Sequence, residues 1–323
     1  MILIVGGAGY IGCHVNKLLS ENGYETVVFD NLSKGHKEAV QWGKLEVGDL
    51  SNISEIETVF KKYSIDVVFN FAALIEAGES VIDPEKFYYN NVVNTLNLLS
   101  VMRQNKVNKI IFSSTAATFG IPEYTPIDEK HPQNPINPYG KTKLMIENIF
   151  KDYETAYGLQ YVVFRYFNAC GADKDGIIGE WHEPESHLIP ILLQAASGAR
   201  AYFQLNGTDY PTADGTCIRD YVHVSDLAQA HLLGLKYLEN GGINNFYNLG
   251  SGSGYSNKQV VEAVKLVTGK DFEVRFGPRR EGDPPLLLAS SEKIKTELGW
   301  EAKYRDINDI VKTAWNWYLK IKK

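Results

Sequence analysis

Short runs of β-branched and aromatic residues alternate along the first half of the chain with longer stretches whose apolar residues recur at helical spacing. The apolar runs are ILIV at 2–5, TVVF at 26–29, VVFNF at 67–71, KIIFSS at 109–114 and YVVFRYFN at 161–168. Strands that are apolar throughout are typical of a parallel sheet covered by helices on both faces. The pattern therefore predicts a doubly wound α/β fold.

This alternation weakens after Asn168, where loop-rich segments such as GADKDGIIGEWHEP and LNGTDYPTADGT follow. We therefore expect two domains. The first covers residues 1–168, and a smaller α/β domain covers residues 169–323, with parts that pack back on the first.

The composition narrows the class of protein. A length of 323 residues is enough for two domains and a cleft. The formal net charge of -6 argues against a general nucleic-acid or anionic-membrane binder, although local arginines can still bind a small anion. Because a predicted strand opens at Ile2 we expect no secretory signal, and no apolar run reaches the about 18 residues of a membrane span.

The three cysteines, Cys13, Cys170 and Cys217, are scattered and lack C-x-x-C spacing. Such cysteines are typical of free thiols in a reducing compartment rather than of a disulfide or zinc framework. The expected location is the cytoplasm.

The most informative motif is IVGGAGYIGCHV at 4–15, where Gly6, Gly9 and Gly12 separate a predicted strand from a predicted helix. A helix N-terminus carries unpaired N–H groups and the positive end of the helix dipole, and glycines let a phosphate come close to it. Alone, the motif also fits an unliganded strand-to-helix turn.

Asp30 strengthens the dinucleotide interpretation because it ends the second predicted strand. An acidic residue at that distance from the glycines accepts hydrogen bonds from both hydroxyls of the adenosine ribose and repels a 2′-phosphate. Together these features predict an NAD site rather than an NADP site, with Asp49 of VGDL as an adenine contact.

Candidate chemistry lies in NPINPYGKTK, where Asn137 and Pro138 are a natural N-cap and first helical residue. Tyr139 and Lys143 then stand one turn apart on one helix face. A cation beside a phenol lowers the pKa of the phenol, so we expect Tyr139 to act as a base near neutral pH.

The same Tyr-x-x-x-Lys spacing recurs at Tyr318 and Lys322, which we interpret as the solvated end of an amphipathic helix. The earlier copy differs because it follows IIFSSTAATFG. There a predicted strand ends with Ser113, Ser114 and Thr115 at the sheet edge where ligands of open α/β folds bind.

With the glycines, Asp30, the strand-end hydroxyls and Tyr-x-x-x-Lys in this order, the chain resembles the extended short-chain dehydrogenase/reductase family. Within it, the chain is similar nearly end to end to the UDP-hexose 4-epimerases, through GGAGYIG, DNLSKGH, FAALIEAGES, FYYNNV, NPYGK, RYFNACGA, HLIP, DGTCIRDYVHVSDLA, NLGSGSGYSN and RREGDP. The resemblance implies a Rossmann-type doubly wound parallel sheet with a smaller C-terminal α/β substrate domain, NAD as cofactor and a UDP-hexose as substrate. It also implies a homodimer joined through helices near residues 86–105 and 139–157.

The resemblance further assigns roles to single residues. It makes Tyr139 the acid and base, Lys143 the residue that holds the nicotinamide ribose, and Thr115 the hydroxyl that bonds the sugar C4 oxygen. The implied NAD contacts are Gly6, Gly9, Tyr10, Ile11, Gly12, Asp30, Asn31, Asp49, Leu50, Phe71, Ala72, Asn90, Ser113, Tyr139, Lys143 and Tyr166. The implied substrate contacts are Thr115, Tyr139, Asn168 at the nucleotide, His187, Leu188, Arg219 and Arg280 at the diphosphate, Asp283 at the uridine ribose, and Leu287 at the sugar pocket.

Two positions depart from the pattern of some family members. Ile75 stands where some epimerases carry a lysine, so a cofactor contact made by that lysine is not expected here. Leu287 stands where some members carry a bulky tyrosine. A smaller residue leaves space for an N-acetyl group, so we expect UDP-N-acetylglucosamine and UDP-N-acetylgalactosamine as further substrates.

The implied reaction is the reversible inversion of C4 between UDP-glucose and UDP-galactose, through a transient 4-keto sugar and tightly bound NAD. A nucleotide-sugar 4,6-dehydratase is an alternative, but it would need an acid beside the strand-end threonine, where this chain has Ala116 and Ala117. A UDP-glucuronate decarboxylase and a noncatalytic NAD-sensing protein are further alternatives. The latter would have no need of Tyr139, Lys143 and Thr115.

One histidine-rich stretch raises the question of a metal. WHEPESH gathers His182, Glu183, Glu185 and His187, but their order is not H-E-x-x-H and Pro184 lies among them. We expect no metal.

Overall fold

The computed structural model describes residues 1–280 and 282–322; Glu281 of the RREGDP motif and Lys323 lie outside the described residues. The strands are β1 (Ile2–Val5), β2 (Thr26–Asp30), β3 (Lys44–Val47), β4 (Val67–Asn70), β5 (Lys109–Thr115), β6 (Gln160–Tyr166), β7 (Asn168–Cys170), β8 (Tyr202–Asn206), β9 (Ile218–His223), β10 (Asn245–Leu249), β11 (Gly254–Ser256), β12 (Glu273–Gly277) and β13 (Leu286–Leu287).

The helices follow the same alternation. They are α1 (Tyr10–Glu21), α2 (Ile53–Lys62), α3 (Ala77–Ile82), α4 (Pro84–Phe87), α5 (Asn94–Gln104), α6 (Pro138–Tyr157), α7 (Leu188–Ala196), α8 (Val224–Glu239), α9 (Asn257–Thr268), α10 (Glu292–Leu298) and α11 (Ile307–Ile321). Short 3-10 turns lie at Lys37–Ala39 and Ala116–Thr118, and a π-helical segment, Tyr88–Val93, joins α4 to α5.

The central sheet has seven strands in the order β10-β6-β5-β4-β1-β2-β3. β1 pairs in parallel with β2 and β4, and further parallel pairs join β2 to β3 and β4 to β5. The strand order reverses direction between β1 and β4, because the chain adds β2 and β3 on one side of β1 and β4 to β6 on the other. Dinucleotides bind at the carboxyl ends of the strands at such a point. The predicted Rossmann-type fold is confirmed.

The predicted strands are present with shifted ends. The run at 161–168 differs most, because β6 stops at Tyr166 and β7 begins at Asn168. The intervening Phe167 donates its backbone N–H to the Leu249 carbonyl oxygen at 3.1 Å. Residues 161–168 therefore form two strands rather than one.

Helix α6 begins and ends as its sequence predicts. The Asn137 side chain accepts a hydrogen bond from the Gly140 N–H at 2.8 Å, and Pro138 occupies the first turn. The helix stops at Gly158, whose φ of 69° lies in the left-handed region that glycine adopts without strain. These caps fix the direction and register of the helix that carries Tyr139 and Lys143.

The chain divides into two compact units. The first comprises Met1–Gly120, Pro132–Arg165 and Ala228–Tyr247, and the second comprises Ile121–His131, Tyr166–Leu227 and Asn248–Lys323.

A single boundary at residue 168 therefore does not describe the interleaved segments. Ile127 joins the second unit because its N–H donates to the Leu288 carbonyl oxygen at 2.8 Å and its own carbonyl accepts from Ser290. Residues 228–247 join the first unit, where β10 pairs with β6 at the edge of the large sheet.

Each unit has its own apolar core. In the first, β-strand side chains such as Leu3, Val27 and Phe112 pack with helix residues such as Leu98 and Phe150. In the second, α7, α9 and α11 supply a core that includes Leu192, Val260 and Ile310. The second unit also contains β9, which pairs with β7, β11 and β13, and a separate parallel pair of β8 and β12.

None of the helices among the described residues is long and apolar enough to cross a membrane.

Candidate active site

The turn between β1 and α1 is too tightly packed for side chains at its glycines. A Cβ on Gly6 would meet the Ala72 backbone nitrogen at 2.6 Å, and a Cβ on Gly12 would meet the Gly6 carbonyl oxygen at 2.4 Å. Gly9 is the N-cap of α1 and provides no side-chain hydrogen bond to the first turn, which includes Tyr10 and Ile11. This is the cradle expected for a phosphate group at a helix N-terminus.

Asp30 lies against this turn. Its carboxylate accepts hydrogen bonds from the N–H groups of Ala8 and Leu32, both at 2.9 Å. Burial raises the pKa of Asp30, and the two N–H contacts oppose that rise. The donors hold the carboxylate in one orientation at the carboxyl end of β2, as recognition of a ribose requires.

Two further predicted cofactor residues, Asn31 next to Asp30 and Asp49 after β3, contact each other. The Asn31 amide donates to the Asp49 carboxylate at 2.7 Å, and the Asp49 N–H donates to Glu55 at 2.7 Å. Leu50 follows and is buried. The Asn31–Asp49 hydrogen bond thus joins the loop after β2 to the loop after β3.

The loops after β4 and before α5 carry the next predicted residues. Phe71 donates its N–H to the Val5 carbonyl oxygen at 2.8 Å, and the Ala72 N–H donates to the Asn70 side chain at 3.1 Å. These bonds hold the end of β4 against the glycine turn. Ile75 is exposed, and its aliphatic side chain supplies no cation there.

Asn91 organises the surroundings of the predicted cofactor residue Asn90, which donates to it at 3.0 Å. The buried Asn91 side chain pairs with both the N–H and the carbonyl of Leu74, at 2.8 and 3.0 Å, and donates to Thr142 at 3.1 Å. Sequence reasoning missed Asn91. The signal was an asparagine within an apolar segment, FYYNNV, which is buried only when hydrogen-bonded.

Tyr139 is brought to the end of β5, as the resemblance implied. The Thr115 hydroxyl hydrogen-bonds the Tyr139 phenol, and the Tyr139 N–H donates to the Ser80 hydroxyl at 3.2 Å. Burial raises the pKa of Tyr139 to about 12, while the bond from Thr115 lowers it and the charge of Glu76 raises it. The expectation that the neighbouring lysine brings the phenol pKa near neutrality is wrong for the chain by itself, because burial outweighs the other contributions.

Lys143 is buried on the same helix face. Its ammonium donates to the Ser113 carbonyl oxygen at 2.8 Å and lies 4.7 Å from the centre of the Phe112 ring. Burial lowers the pKa of Lys143 to about 7, and the charge of Glu147 opposes that fall. The backbone carbonyl of Ser113, near the end of β5, therefore holds the Lys143 ammonium in place.

Glu147 continues this face one turn further and was not predicted. Its carboxylate accepts from the Ser114 hydroxyl at 2.6 Å, from Gln133 at 3.0 Å and from Arg165 at 3.1 and 2.8 Å. The side chains of Glu147 and Arg165 are 0% and 4% exposed, so this is a buried, bidentate ion pair. The spacing Tyr139, Lys143, Glu147 is the sequence signal that could have found it.

The predicted nucleotide-binding residues lie in the second unit, several of them around β9. The Asn168 amide donates to the Asp220 carbonyl oxygen at 2.9 Å. Arg219 forms an ion pair with Asp283, and Leu287 of β13 lies beside Arg219 in parallel register. Arg219 and Asp283, assigned to two parts of the nucleotide, therefore contact each other.

The remaining predicted substrate and cofactor contacts are Arg280, His187, Leu188 and Tyr166. Arg280 is exposed, and its carbonyl oxygen accepts from the Asp283 N–H at 3.4 Å. His187 is the N-cap residue of α7, which Leu188 begins. Tyr166 is buried at the end of β6.

One feature judged inert from sequence has a clear structural role. The second Tyr-x-x-x-Lys copy is not simply solvated, because Tyr318 is buried and its hydroxyl lies 2.8 Å from the Ser197 hydroxyl. The three cysteines are free and buried, in agreement with prediction.

Comparison with known proteins adds a functional context to this geometry. Residues 2–250 match the model of the NAD dependent epimerase/dehydratase family. A UDP-glucose 4-epimerase of Halalkalibacterium halodurans is 51% identical over 317 residues, which cover 98% of this chain and 95% of that protein.

Solved structures agree over the whole fold. The UDP-glucose 4-epimerase from Brucella ovis, in complex with NAD, superposes with a TM-score of 0.95 at 48% identity and covers 97% of each chain. The UDP-Glc/GlcNAc 4-epimerase from Campylobacter jejuni superposes with a TM-score of 0.86 at 42% identity and covers 99% of each chain.

Proposed function

The chain belongs to the NAD dependent epimerase/dehydratase family, and from this premise we propose that it interconverts UDP-glucose and UDP-galactose by inverting the configuration at C4 of the sugar. The observation that carries the proposal is the Thr115–Tyr139 hydrogen bond at the carboxyl edge of the sheet, one helical turn from the buried Lys143. Relatives that match over nearly the full length support it.

NAD is the cofactor, and the residues around the glycine turn fit it. The turn that excludes a Cβ accommodates a pyrophosphate at the N-terminus of α1, and Asp30 accepts the adenosine ribose hydroxyls. Held there, NAD would supply the hydride acceptor for oxidation at C4 and the hydride donor for the reduction that follows.

Tyr139 supplies the proton transfer. Its phenolic oxygen takes the proton of the C4 hydroxyl in the oxidation and gives it back in the reduction, so one residue serves as base and then as acid. The Thr115 hydroxyl bonds that same oxygen and stabilises its charged form. Lys143 holds the nicotinamide ribose while the Ser113 carbonyl positions its ammonium.

The second unit binds the nucleotide. Arg219 and Arg280 contact the diphosphate, since guanidinium groups form paired, charge-assisted bonds with phosphate oxygens. Asp283, now paired with Arg219, contacts the uridine ribose, and Asn168, His187 and Leu188 complete the contacts.

Leu287, which is smaller than the tyrosine that some family members carry in the sugar pocket, extends the substrate range to UDP-N-acetylglucosamine and UDP-N-acetylgalactosamine. Leu287 is partly buried and lies next to Arg219 across β13 and β9. The similar protein from Campylobacter jejuni is a UDP-Glc/GlcNAc 4-epimerase, which supports this extension.

The enzyme acts as a homodimer in the cytoplasm. The π-helical segment and α6 support the dimer because they expose apolar side chains, among them Tyr89 at 61%, Val93 at 39% and Met145 at 44%. Sedimentation velocity at micromolar concentration distinguishes a dimer from a monomer. Three buried free thiols support a reducing compartment.

Labelled substrate separates the reaction from dehydration. With UDP-galactose deuterated at C4, an epimerase yields UDP-glucose that keeps deuterium at C4. A 4,6-dehydratase moves the label to C6 and releases water. The alanines that follow Thr115, Ala116 and Ala117, provide no acid for that second reaction.

A further inference from the structure

A second cluster of ionisable side chains lies in the second unit, in the segment that precedes α7. One ligand atom from each of Glu180, His182, Glu185 and His187 lies within 4.8 Å of the others. The sequence predicted no metal here because the order of residues is not H-E-x-x-H. The fold brings the four side chains together despite that order.

The histidine nitrogens lie close to the carboxylate oxygens of both glutamates. The Nδ1 atoms of His182 and His187 lie 3.3 and 3.0 Å from the Glu180 Oε1 atom. The same nitrogens lie 3.6 and 3.0 Å from the two oxygens of Glu185, Oε2 and Oε1 respectively. Both imidazoles therefore direct the same ring nitrogen toward the same two carboxylates.

These separations bring the four side chains within reach of one cation. Zinc bound to nitrogen and oxygen at 2.0–2.1 Å in tetrahedral geometry places its ligand atoms about 3.3–3.4 Å apart. The observed nitrogen-to-oxygen distances run from 3.0 to 3.6 Å, and the ligand atoms all lie within 4.8 Å of one another. We propose that Glu180, His182, Glu185 and His187 form a tetrahedral site for a divalent transition metal of the zinc class.

The surrounding structure holds the ligands in place. The indole N–H of Trp317 donates to the Glu180 carbonyl oxygen at 3.0 Å, and a Cβ on Gly179 would meet the Trp317 ring at 2.4 Å. An isolated bridge between Ala172 and Gly179 fixes the residue before Glu180. The Glu185 Oε1 atom accepts from the N–H groups of Ser186 and His187, both at 2.8 Å. Such outer contacts are those that orient metal ligands.

Burial gives the cation an energetic role. The side chains of Glu180 and Glu185 are only 7% and 4% exposed, so two carboxylate charges are largely removed from water. A buried charge requires a compensating partner. A divalent cation bound by two neutral imidazoles balances both carboxylates, and the mixed nitrogen and oxygen donors favour zinc over magnesium or calcium.

The site has a structural consequence for the proposed substrate contacts. Four protein ligands leave no open position, which is typical of a structural rather than a catalytic zinc. The metal links Glu180, which follows the Ala172–Gly179 bridge, to His187, the N-cap residue of α7. It therefore fixes the segment that leads into Leu188.

Metal content tests the proposal directly. In protein purified without chelators and desalted after incubation with zinc chloride, elemental analysis is expected to give about one zinc per chain, and X-ray absorption a nitrogen and oxygen shell at about 2.0–2.1 Å. Wild-type protein that retains less than about one tenth of a zinc per chain overturns the proposal, because then protons alone balance the cluster.

Matched variants locate the metal. His182→Gln and Glu180→Gln are expected to lose zinc at least about fivefold, whereas Glu183→Gln keeps it, because Glu183 contacts the Trp181 indole and is not in the cluster. EDTA is expected to lower the Tm of the wild type and of Glu183→Gln but not of His182→Gln. Equal zinc in all four proteins places the metal elsewhere and overturns the assignment.

Discussion

The hydroxyl of Thr115 hydrogen-bonds the phenol of Tyr139. Thr115 ends β5 and Tyr139 lies in the first turn of α6, so this contact joins the carboxyl edge of the central sheet to the helix that carries Lys143. The bond favours the charged phenolate, whereas burial favours the neutral phenol, and burial prevails in the chain alone. The phenolic oxygen of Tyr139 is therefore the atom on which the proposed proton transfer depends.

Removing that oxygen tests its role. Tyr139→Phe is expected to reduce kcat for UDP-galactose by about 10²–10⁴-fold, because general acid and base catalysis contributes that much. The NAD content of the purified protein should stay the same, since the ring still fills the site. Chromatography of the UDP-sugars and of nucleotide released by denaturation measures the two quantities.

The chain supplies a matched control in its second Tyr-x-x-x-Lys copy. Tyr318→Phe removes a buried hydroxyl that contacts Ser197, at the same spacing from Lys322. It should leave kcat within about twofold while lowering stability by the roughly 1 kcal/mol of one hydrogen bond. Equal turnover of Tyr139→Phe and wild type would contradict the assignment.

Breaking the buried Glu147–Arg165 ion pair is expected to lower the stability of the first unit strongly. Arg165→Met leaves the Glu147 carboxylate buried without its cation and should lower the free energy of unfolding by about 3–5 kcal/mol. The double variant Glu147→Gln with Arg165→Met should recover part of this loss, since the orphaned charge is gone. Urea denaturation measures each value.

An exposed pair provides the comparison. Arg275 contacts Glu273 at the surface of β12, where solvent screens the charges. Arg275→Met should therefore leave the urea midpoint unchanged. If Arg165→Met is no more destabilising than Arg275→Met, the buried pair does not have the role described.

Lys143 makes stability depend on pH. Burial lowers its pKa from the ordinary value of 10.5 to about 7. Above about pH 7 the unfolded chain binds more protons than the folded chain, so the free energy of unfolding rises with pH; below it both states bind the proton and the cost of burying the ammonium is complete.

Lys143→Met removes this dependence in NAD-free protein. We expect the variant to gain most stability over wild type near about pH 6 and to lose that advantage toward about pH 9. Urea denaturation across this range measures the difference. A difference that stays constant with pH would show that Lys143 does not change its protonation on folding.

Leu287 is expected to control substrate size. Leu287→Tyr adds a bulky ring beside Arg219 and should remove activity on UDP-N-acetylglucosamine while retaining at least about one third of the activity on UDP-glucose, because overfilling a pocket penalises the larger ligand. Rates on both sugar pairs, for wild type and variant, measure this. A wild-type preference above about a hundredfold for the unsubstituted hexoses contradicts the proposed range.

Much of this structure could be predicted from short stretches of the sequence. Asn137 and Pro138 fixed the start of α6, and the apolar runs located the strands of a sheet whose order follows from parallel pairing. The glycine spacing and Asp30 predicted the cofactor edge because each depends on a turn only a few residues long.

Long-range relationships were beyond the reach of these patterns. Glu147 meets Arg165 because α6 packs against β6, and this contact does not follow from sequence spacing. The pKa of Tyr139 also depends on burial, which a sequence does not display. Interleaving at Ile127 arises from hydrogen bonds to residues 288 and 290, far along the chain.

The most direct test of the account mixes purified protein with UDP-galactose and no added cofactor, and follows UDP-glucose by chromatography together with the absorbance of reduced nicotinamide. The account predicts conversion to an equilibrium mixture without net accumulation of reduced nicotinamide, because the hydride returns to the sugar that supplied it. Stoichiometric reduction of nicotinamide, or the appearance of a 4-keto-6-deoxy sugar, would contradict epimerisation.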